Sequence, residues 1–402
     1  MRYRLTVSHK TSHAQVLTPP NLAERLIGMV SCAGEDWIEL GSGNGRIADA
    51  CLRDTSPASY IGIEIDKAMI RQCARQEGLV YHHANVLDPD AIDALLGARL
   101  FSRAAGNPPY GIATLPIRAQ ERLESLCPGL PLIKEWGQLD LYFVLESLAR
   151  LKRPGEAAFI VGAPLAEDDR LEAFRKNLIS AASEVECYEL APAIFKGDIE
   201  VQSYMLIARF GRVRAGKCKV TVGRMRGANL AITEQRTVAP ESAHARLDIA
   251  HHEFMDFDSK VRNMRNCATL RDLDAAIVRG SRTKGQFVEL GMPHFHTSDF
   301  PQRGRELRFG EHVKNEFQLA QCGDILIPRV GSRCLDRHAI VVDGSRPYTE
   351  SVYRLRLPHK NRDRVLNWIS SDSGTMWRQG VAKGSCAKHL TVSTLLDMPV
   401  PA

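Results

Sequence analysis

A short apolar run closed by a glycine-rich turn constrains the fold more than any other feature of this chain. Trp37-Ile-Glu-Leu40 reads as a buried strand, Gly41-Ser-Gly-Asn-Gly45 as a tight turn and 46–53 as a helix. Glycine permits the sharp reversal and lets a ligand approach the backbone closely. A second strand, Tyr60-Ile-Gly-Ile-Glu-Ile65, leads to a helix over 67–76. The alternation continues with strands near 80–84, 102–105, 157–161 and 201–210, an amphipathic helix over 139–151 and another helix over 167–181. Strands alternating with helices predict an α/β fold with a mostly parallel, doubly wound sheet, here over residues 1–211.

After residue 211 the pattern changes. Residues 212–240, with runs such as Lys217-Cys-Lys-Val-Thr-Val222, read as a connector or a small β element. Residues 241–402 lean towards β structure, with Asp324-Ile-Leu-Ile-Pro328 and His338-Ala-Ile-Val-Val342 as strands and a helix near 362–370, which predicts a second, mixed α+β domain. A length of 402 residues accommodates both. Charge separates the halves as well. Residues 1–210 hold 22 Lys+Arg against 27 Asp+Glu, a net −5, and residues 211–402 hold 31 against 20, a net +11. A basic C-terminal half points to a polyanionic partner.

Several classes are excluded. The longest uncharged apolar stretch, 157–166, contains Gly162 and Pro164 and reaches about half of the ~20 residues a bilayer demands. The N-terminal Met1-Arg-Tyr-Arg-Leu-Thr-Val-Ser-His-Lys10 has no apolar segment behind it, so it fails as a secretory signal and the expected location is cytoplasmic. The ten cysteines (Cys32, Cys51, Cys73, Cys127, Cys187, Cys218, Cys267, Cys322, Cys334 and Cys386) form no C-x-x-C pair, so reduced thiols and no metal site are expected.

Two motifs carry chemistry. The glycine turn gains meaning from Glu64, which closes the next strand about 20 residues on and is placed to accept both hydroxyls of a ribose. Asn107-Pro-Pro-Tyr110 follows a short strand, at the expected edge of a cleft. Consecutive prolines remove two donors and leave carbonyls as acceptors. With the Asn107 oxygen they suit an exocyclic amine that has two hydrogens to donate, and Tyr110 offers a face on which a base can stack.

At these residues the chain resembles S-adenosylmethionine-dependent N6-adenine DNA methyltransferases, in the order that places cofactor motifs before the catalytic one. Val16-Leu-Thr-Pro-Pro20 is similar to the family's N-terminal Thr-Pro motif, Glu39-Leu-Gly-Ser-Gly-Asn-Gly45 to its glycine motif, and Asn107-Pro-Pro-Tyr110 to its catalytic tetrapeptide. The stretch 140–155 resembles the helix and turn before the fifth strand, and 194–201 the segment whose aromatic residue, Phe195, packs on the target base. The resemblance covers roughly 15–211. It implies a Rossmann-like methyltransferase domain with an antiparallel last strand. It also implies S-adenosyl-L-methionine as cofactor, with Thr18, Pro19, Glu39, Gly41, Gly43, Glu64, Asn85 and Asn107 holding it; Asp88 is the alternative to Asn85, where the family places an Asp. Asn107, Pro108, Pro109 and Tyr110 would be catalytic. The adenine would be flipped out of the duplex and held between Tyr110 and Phe195.

The second half resembles one target-recognition domain of a type I restriction specificity subunit. The resemblance rests on Arg246-Leu-Asp-Ile-Ala-His251, Ile277-Val-Arg-Gly-Ser-Arg282, Gly291-Met-Pro-His-Phe-His-Thr-Ser-Asp299, Gly323-Asp-Ile-Leu-Ile-Pro328 and the tail 395–401. It implies duplex DNA as partner, with Arg282, Lys284, His294 and His296 as candidate DNA contacts. A restriction-modification or phage-defence setting follows, with any cognate restriction endonuclease encoded separately, since no nuclease domain fits before residue 15. The chain would act as a monomer or a homodimer. Three other readings stay open: an RNA adenine methyltransferase, a protein-glutamine methyltransferase, and a DNA-specificity protein that needs a partner subunit.

Overall fold

The computed structural model describes residues 16–402 except 31–33, 55–56, 74–76, 132–135, 193, 196–201, 212–216, 302–304, 313–316, 332–333 and 383–387. The basic N-terminal stretch, Cys32, Cys386 and most of the segment after Phe195 therefore lie outside the described residues. The chain divides into two compact units, Met1–His252 and Glu253–Ala402.

In the first unit, α1 (Pro20–Ile27) precedes β1 (Asp36–Leu40), α2 (Arg46–Asp54), β2 (Ser59–Glu64), α3 (Lys67–Ile70), β3 (Leu79–His83), α4 (Pro89–Leu96) and β4 (Phe101–Gly106). A short pair, β5 (Ile112–Thr114) and β6 (Trp136–Gln138), flanks α5 (Ile117–Leu126). Next come α6 (Leu139–Ala149), β7 (Leu151–Gly162), α7 (Ala163–Glu167), α8 (Glu172–Ala181), β8 (Glu184–Glu189), β9 (Ser203–Phe210), β10 (Lys219–Arg226), β11 (Ala231–Val238) and α9 (Pro240–Ala245). Helix α10 (Ile249–Arg262) carries the chain into the second unit. Nine strands form one sheet in the order β11-β10-β8-β9-β7-β4-β1-β2-β3. The run from β3 to β7 is parallel, and β9 is antiparallel to both of its neighbours.

The chain moves outward from β1 to β3 and then returns to place β4 on the other side of β1. This reversal makes a topological switch point at the carboxyl ends of β1 and β4, the place where open α/β sheets bind ligands. Alternating residues of each strand feed two cores. Ile38, Leu40, Phe159 and Val161 pack with α4, α5, α6 and α8 on one face; Trp37, Ala158 and Ile160 pack with α1 and α2 on the other. Gly62 in β2 is required by this packing, because a Cβ there would stand 2.6 Å from the Tyr81 ring and 3.0 Å from Ser42 Oγ. Gly62→Ala is expected to cost about 1–3 kcal/mol of unfolding free energy, measured from the urea midpoint; an unchanged midpoint would show that Tyr81 gives way freely.

Three expectations are corrected. The described part of 212–240 is the β element and not the connector: β10 and β11 extend the sheet, with β10 parallel to β8. The basic excess is divided accordingly. Residues 211–252, in the first unit, hold 8 Lys+Arg against 3 Asp+Glu, and residues 253–402 hold 23 against 17. Helix α6 is not amphipathic, since Asp140 through Ser147 are all buried. The helix expected over 167–181 is broken where the Asp168 side chain accepts the Arg170 N–H and a 3-10 turn precedes α8.

The second unit holds β12 (Ala268–Thr269), β13 (Ala276–Arg279), α11 (Lys284–Glu289), β14 (Glu306–His312), β15 (Leu319–Gln321), β16 (Ile325–Pro328), β17 (Ala339–Pro347), β18 (Val352–Arg356), α12 (His359–Ser370), α13 (Asp372–Val381), α14 (Val392–Leu396) and β19 (Pro399–Val400). Its mixed sheet runs β13-β18-β16-β17-β14, with β15 also on β17. Among the described residues, no helix is long and apolar enough to cross a membrane, and the eight described cysteines are free.

Candidate active site

The glycine turn leaves β1 with Gly41, Gly43 and Gly45 all at positive φ (78°, 54° and 80°), a conformation that costs other residues about 1–2 kcal/mol each. The Gly41 and Ser42 N–H groups both donate to the Ile63 carbonyl, which fastens the turn to β2. Glu64 completes the fastening: Oε2 accepts from the Gly43 N–H at 2.8 Å and Oε1 from the Asp66 N–H at 2.9 Å. Each carboxylate oxygen keeps acceptor capacity beyond that one bond. Glu39, 2% exposed, accepts the Tyr60 hydroxyl at 2.5 Å. Burial pushes its carboxyl up to about 8 against the Tyr60 hydrogen bond, which favours the charged form; the charges of Glu64 and Asp49 push further in the direction of burial.

The turn and the tetrapeptide meet. A Cβ added at Gly41 would lie 3.1 Å from the Phe143 ring and 3.8 Å from Pro109 Cδ. The N-terminal Thr-Pro segment joins them through Asn107, whose Nδ2 donates to Thr18 Oγ1 at 3.0 Å and to the Val16 carbonyl at 3.3 Å. A carbonyl can only accept, so the Asn107 amide orientation is fixed and Oδ1 faces the other way. There it accepts the Tyr110 hydroxyl at 2.7 Å. Pro108 is buried, Pro109 is half-buried, and Pro19 caps α1, with Pro20 at its first position.

Tyr110 and Phe195 come together, but edge to face: their centroids are 6.2 Å apart with planes inclined at 68°. Stacked planes require near-parallel rings, so a base between these two would need them to turn and part. Phe195 itself is 3% exposed. Asn85 is exposed beyond β3, its Oδ1 accepting the Leu87 N–H, whereas Asp88 is engaged as the cap of α4 through the Ala91 N–H. Both side chains are exposed, and each gives one oxygen to a neighbouring N–H.

Two neighbours of the tetrapeptide were not anticipated from the sequence. Asp140 is fully buried beside Tyr110 and Gly162. Burial pushes its carboxyl up to about 6 against the hydrogen bonds from Gln138 and Gly162, which favour the charged form. Burial and then the Asp140 charge raise the Tyr110 phenol. The available signal was an acidic residue inside the apolar run Leu139-Asp-Leu-Tyr-Phe-Val-Leu145. Phe143, on the same helix, stands against Gly41.

In the second unit the four candidate DNA contacts lie in one region but differ in freedom. Arg282 sits 5.1 Å over the Phe317 ring and bridges to Thr349. Lys284 is exposed at the start of α11. His294 stacks on Phe287 at 5.3 Å, with Nδ1 3.0 Å from the Met292 carbonyl. His296 Nδ1 meets Thr349 Oγ1 at 2.8 Å, and burial followed by the Lys284 charge lowers its pKa. Both histidines thus have packing roles within the unit.

No family model matches the chain. It is 24% identical over 183 residues to the modification methylase CviBIII of Paramecium bursaria Chlorella virus NC1A, an alignment covering 44% of this chain and 45% of that protein. The chain therefore matches less than half the length of this relative. Similar solved structures include the type I restriction-modification methyltransferase subunit of Streptococcus thermophilus (17% identity, 58% of each chain, TM-score 0.47). The type IIG restriction endonuclease BpuSI is another (12% identity, 96% of this chain and 59% of that one, TM-score 0.49). With TM-scores below 0.5, the fold is read from the strand order itself.

Proposed function

We propose that the chain is an S-adenosylmethionine-dependent DNA methyltransferase acting on the N6 amine of adenine within a restriction-modification setting. One observation carries the reading: Asn107 projects from the end of β4 with its NH2 tied to Thr18 and Val16, which turns its oxygen towards Tyr110, while Pro109 adjoins the glycine turn. Similarity to a modification methylase supports it.

The residues present fit the cofactor. Gly41 and Gly43 offer a surface without side chains, and a Cβ added at Gly43 would come no closer to another residue than 4.0 Å from Leu17. Ser42 Oγ is buried with no hydrogen-bond partner among the described residues. Thr18, Gly41, Gly43, Glu64 and Asn85 would hold the group, which supplies an electrophilic methyl when bound. The protein's part is positional and electrostatic. Asn107 Oδ1 and the Pro108 carbonyl would accept the two amine hydrogens and hold the nitrogen lone pair in place. No base is needed before attack, because the amine becomes acidic only on gaining the methyl. Tyr110 would support the base from one face. The second unit would read duplex DNA, with the exposed Lys284 and the half-buried Arg282 as its candidate cations.

The test compares duplex DNA, ribosomal RNA and a glutamine-bearing protein as acceptors of labelled methyl from S-adenosylmethionine. N6-methyladenine confined to one DNA motif is the expected product. Labelling of RNA or protein with none in DNA would overturn the reading.

A further inference from the structure

Burying a carboxylate is costly unless it is hydrogen-bonded, and the fully buried Asp140 uses both oxygens. Oδ2 accepts the Gly162 N–H at 2.8 Å, and Oδ1 accepts from the Gln138 side chain at 2.7 Å. These partners belong to different elements. Gly162 ends β7, the neighbour of β4. Gln138 ends β6 and pairs with Ile112 of β5, the strand that leaves the tetrapeptide. The Leu139 N–H donates to the Gly111 carbonyl at 2.9 Å and binds the start of α6 to the same loop. Gly162 also backs the aromatic residue: a Cβ there would lie 3.2 Å from Asp140 Oδ2 and 3.8 Å from Tyr110 Cγ.

From this juxtaposition we propose that Asp140 is a positioning residue that fixes the Asn107–Tyr110 loop for methyl transfer, an inference that rests on the methyltransferase reading above. The carboxylate clamps the loop from two sides, through Gly162 behind Tyr110 and through Gln138 beyond Gly111. Its two side-chain bonds run to Gln138 and Gly162 and not to the glycine turn, so its loss should loosen the loop and leave the turn as it is.

Asp140→Leu keeps the branched shape, at a larger volume, and removes both bonds; Asp140→Asn restores them, since its oxygen can accept from Gly162 and the Gln138 amide can turn to accept from its NH2. In the full-length protein, Asp140→Leu is expected to lower kcat by roughly 10- to 100-fold with cofactor affinity unchanged, and Asp140→Asn to recover most of that loss. Amide hydrogen exchange should rise over residues 107–114 in Asp140→Leu while residues 40–64 stay protected. Wild-type kcat and exchange in Asp140→Leu would overturn the proposal. So would a kcat loss that Asp140→Asn fails to recover. Should Asp140→Leu fail to fold, Gln138→Ala removes one of the two bonds from a half-buried position: faster exchange over 107–114 supports the proposal and unchanged exchange overturns it. If the wild-type protein transfers methyl to no acceptor, the proposed activity falls, and the exchange pattern still decides whether Asp140 holds the loop.

Discussion

Asn107→Ala is expected to lower single-turnover methyl transfer by at least roughly 10²- to 10³-fold, the loss typical when one preorganised hydrogen-bonding group is removed from a reacting centre. The reason lies in what that one side chain joins. Its Nδ2 bonds to Val16 and Thr18, and its Oδ1 accepts from Tyr110. Alanine therefore removes the proposed acceptor for the amine and also the tie between the N-terminal segment and the loop. The glycine turn is fastened independently, by Ile63 and Glu64, so calorimetry should find cofactor binding largely intact. Thr18→Val deletes one acceptor of the tie while leaving the Asn107 oxygen in place; because Thr18 is also among the residues that would hold the cofactor, the rate is read at saturating S-adenosylmethionine, where about a tenfold loss is expected from the misplacement. Turnover of Asn107→Ala within a few-fold of wild type would remove Asn107 from the reaction.

What was legible in the sequence was local chemistry on regular elements. The β1 turn was legible as a turn because three glycines stand at alternate positions behind an apolar run, and all three adopt positive φ; its tie to a ligand came only with Glu64. Glu64 could be placed because it closes the strand adjoining β1, and parallel pairing carries its carboxylate back to Gly43. The tetrapeptide was visible for the same reason. Two things were not. Strand β11 is an edge strand with most of its residues exposed, so Ala231–Val238 lacks the apolar alternation that marks a half-buried strand, and its sequence resembled a linker. Asp140 escaped because its partner Gly162 stands 22 residues away in the chain and is reached only once α6 has packed against the end of β7. Its isolation within an apolar run signalled a paired charge but not the partner. The resting geometry of Tyr110 and Phe195 was equally hidden: sequence can nominate two aromatic rings, but whether they lie parallel or edge-on depends on packing.

The other large effect concerns Glu39, and it separates stability from pH. In the folded protein, burial raises this carboxyl to about 8, from 4.5 as its ordinary value. A group whose pKa is higher folded than unfolded binds an extra proton on folding across that interval, so its contribution to stability is fully present below pH 4.5. It is lost progressively as pH rises through 8. Wild-type protein should therefore lose on the order of 3–5 kcal/mol between the two limits from this residue alone, at ~1.4 kcal/mol per pH unit in mid-range. Glu39→Gln keeps the shape and an oxygen to accept from Tyr60, and it has no proton to lose. Its unfolding free energy should be similar to that of wild type near pH 5 and exceed it increasingly towards pH 8. Subtracting the two curves cancels the other titrating groups. Urea titrations from pH 5 to 9 decide the point: a difference that grows with pH is expected, whereas parallel curves would mean that Glu39 is ionised in the folded chain. Cofactor binding by the same variant addresses the residue's other expected role. Affinity close to wild type would assign Glu39 to support of the turn through Tyr60, and a marked loss would make it a direct ligand.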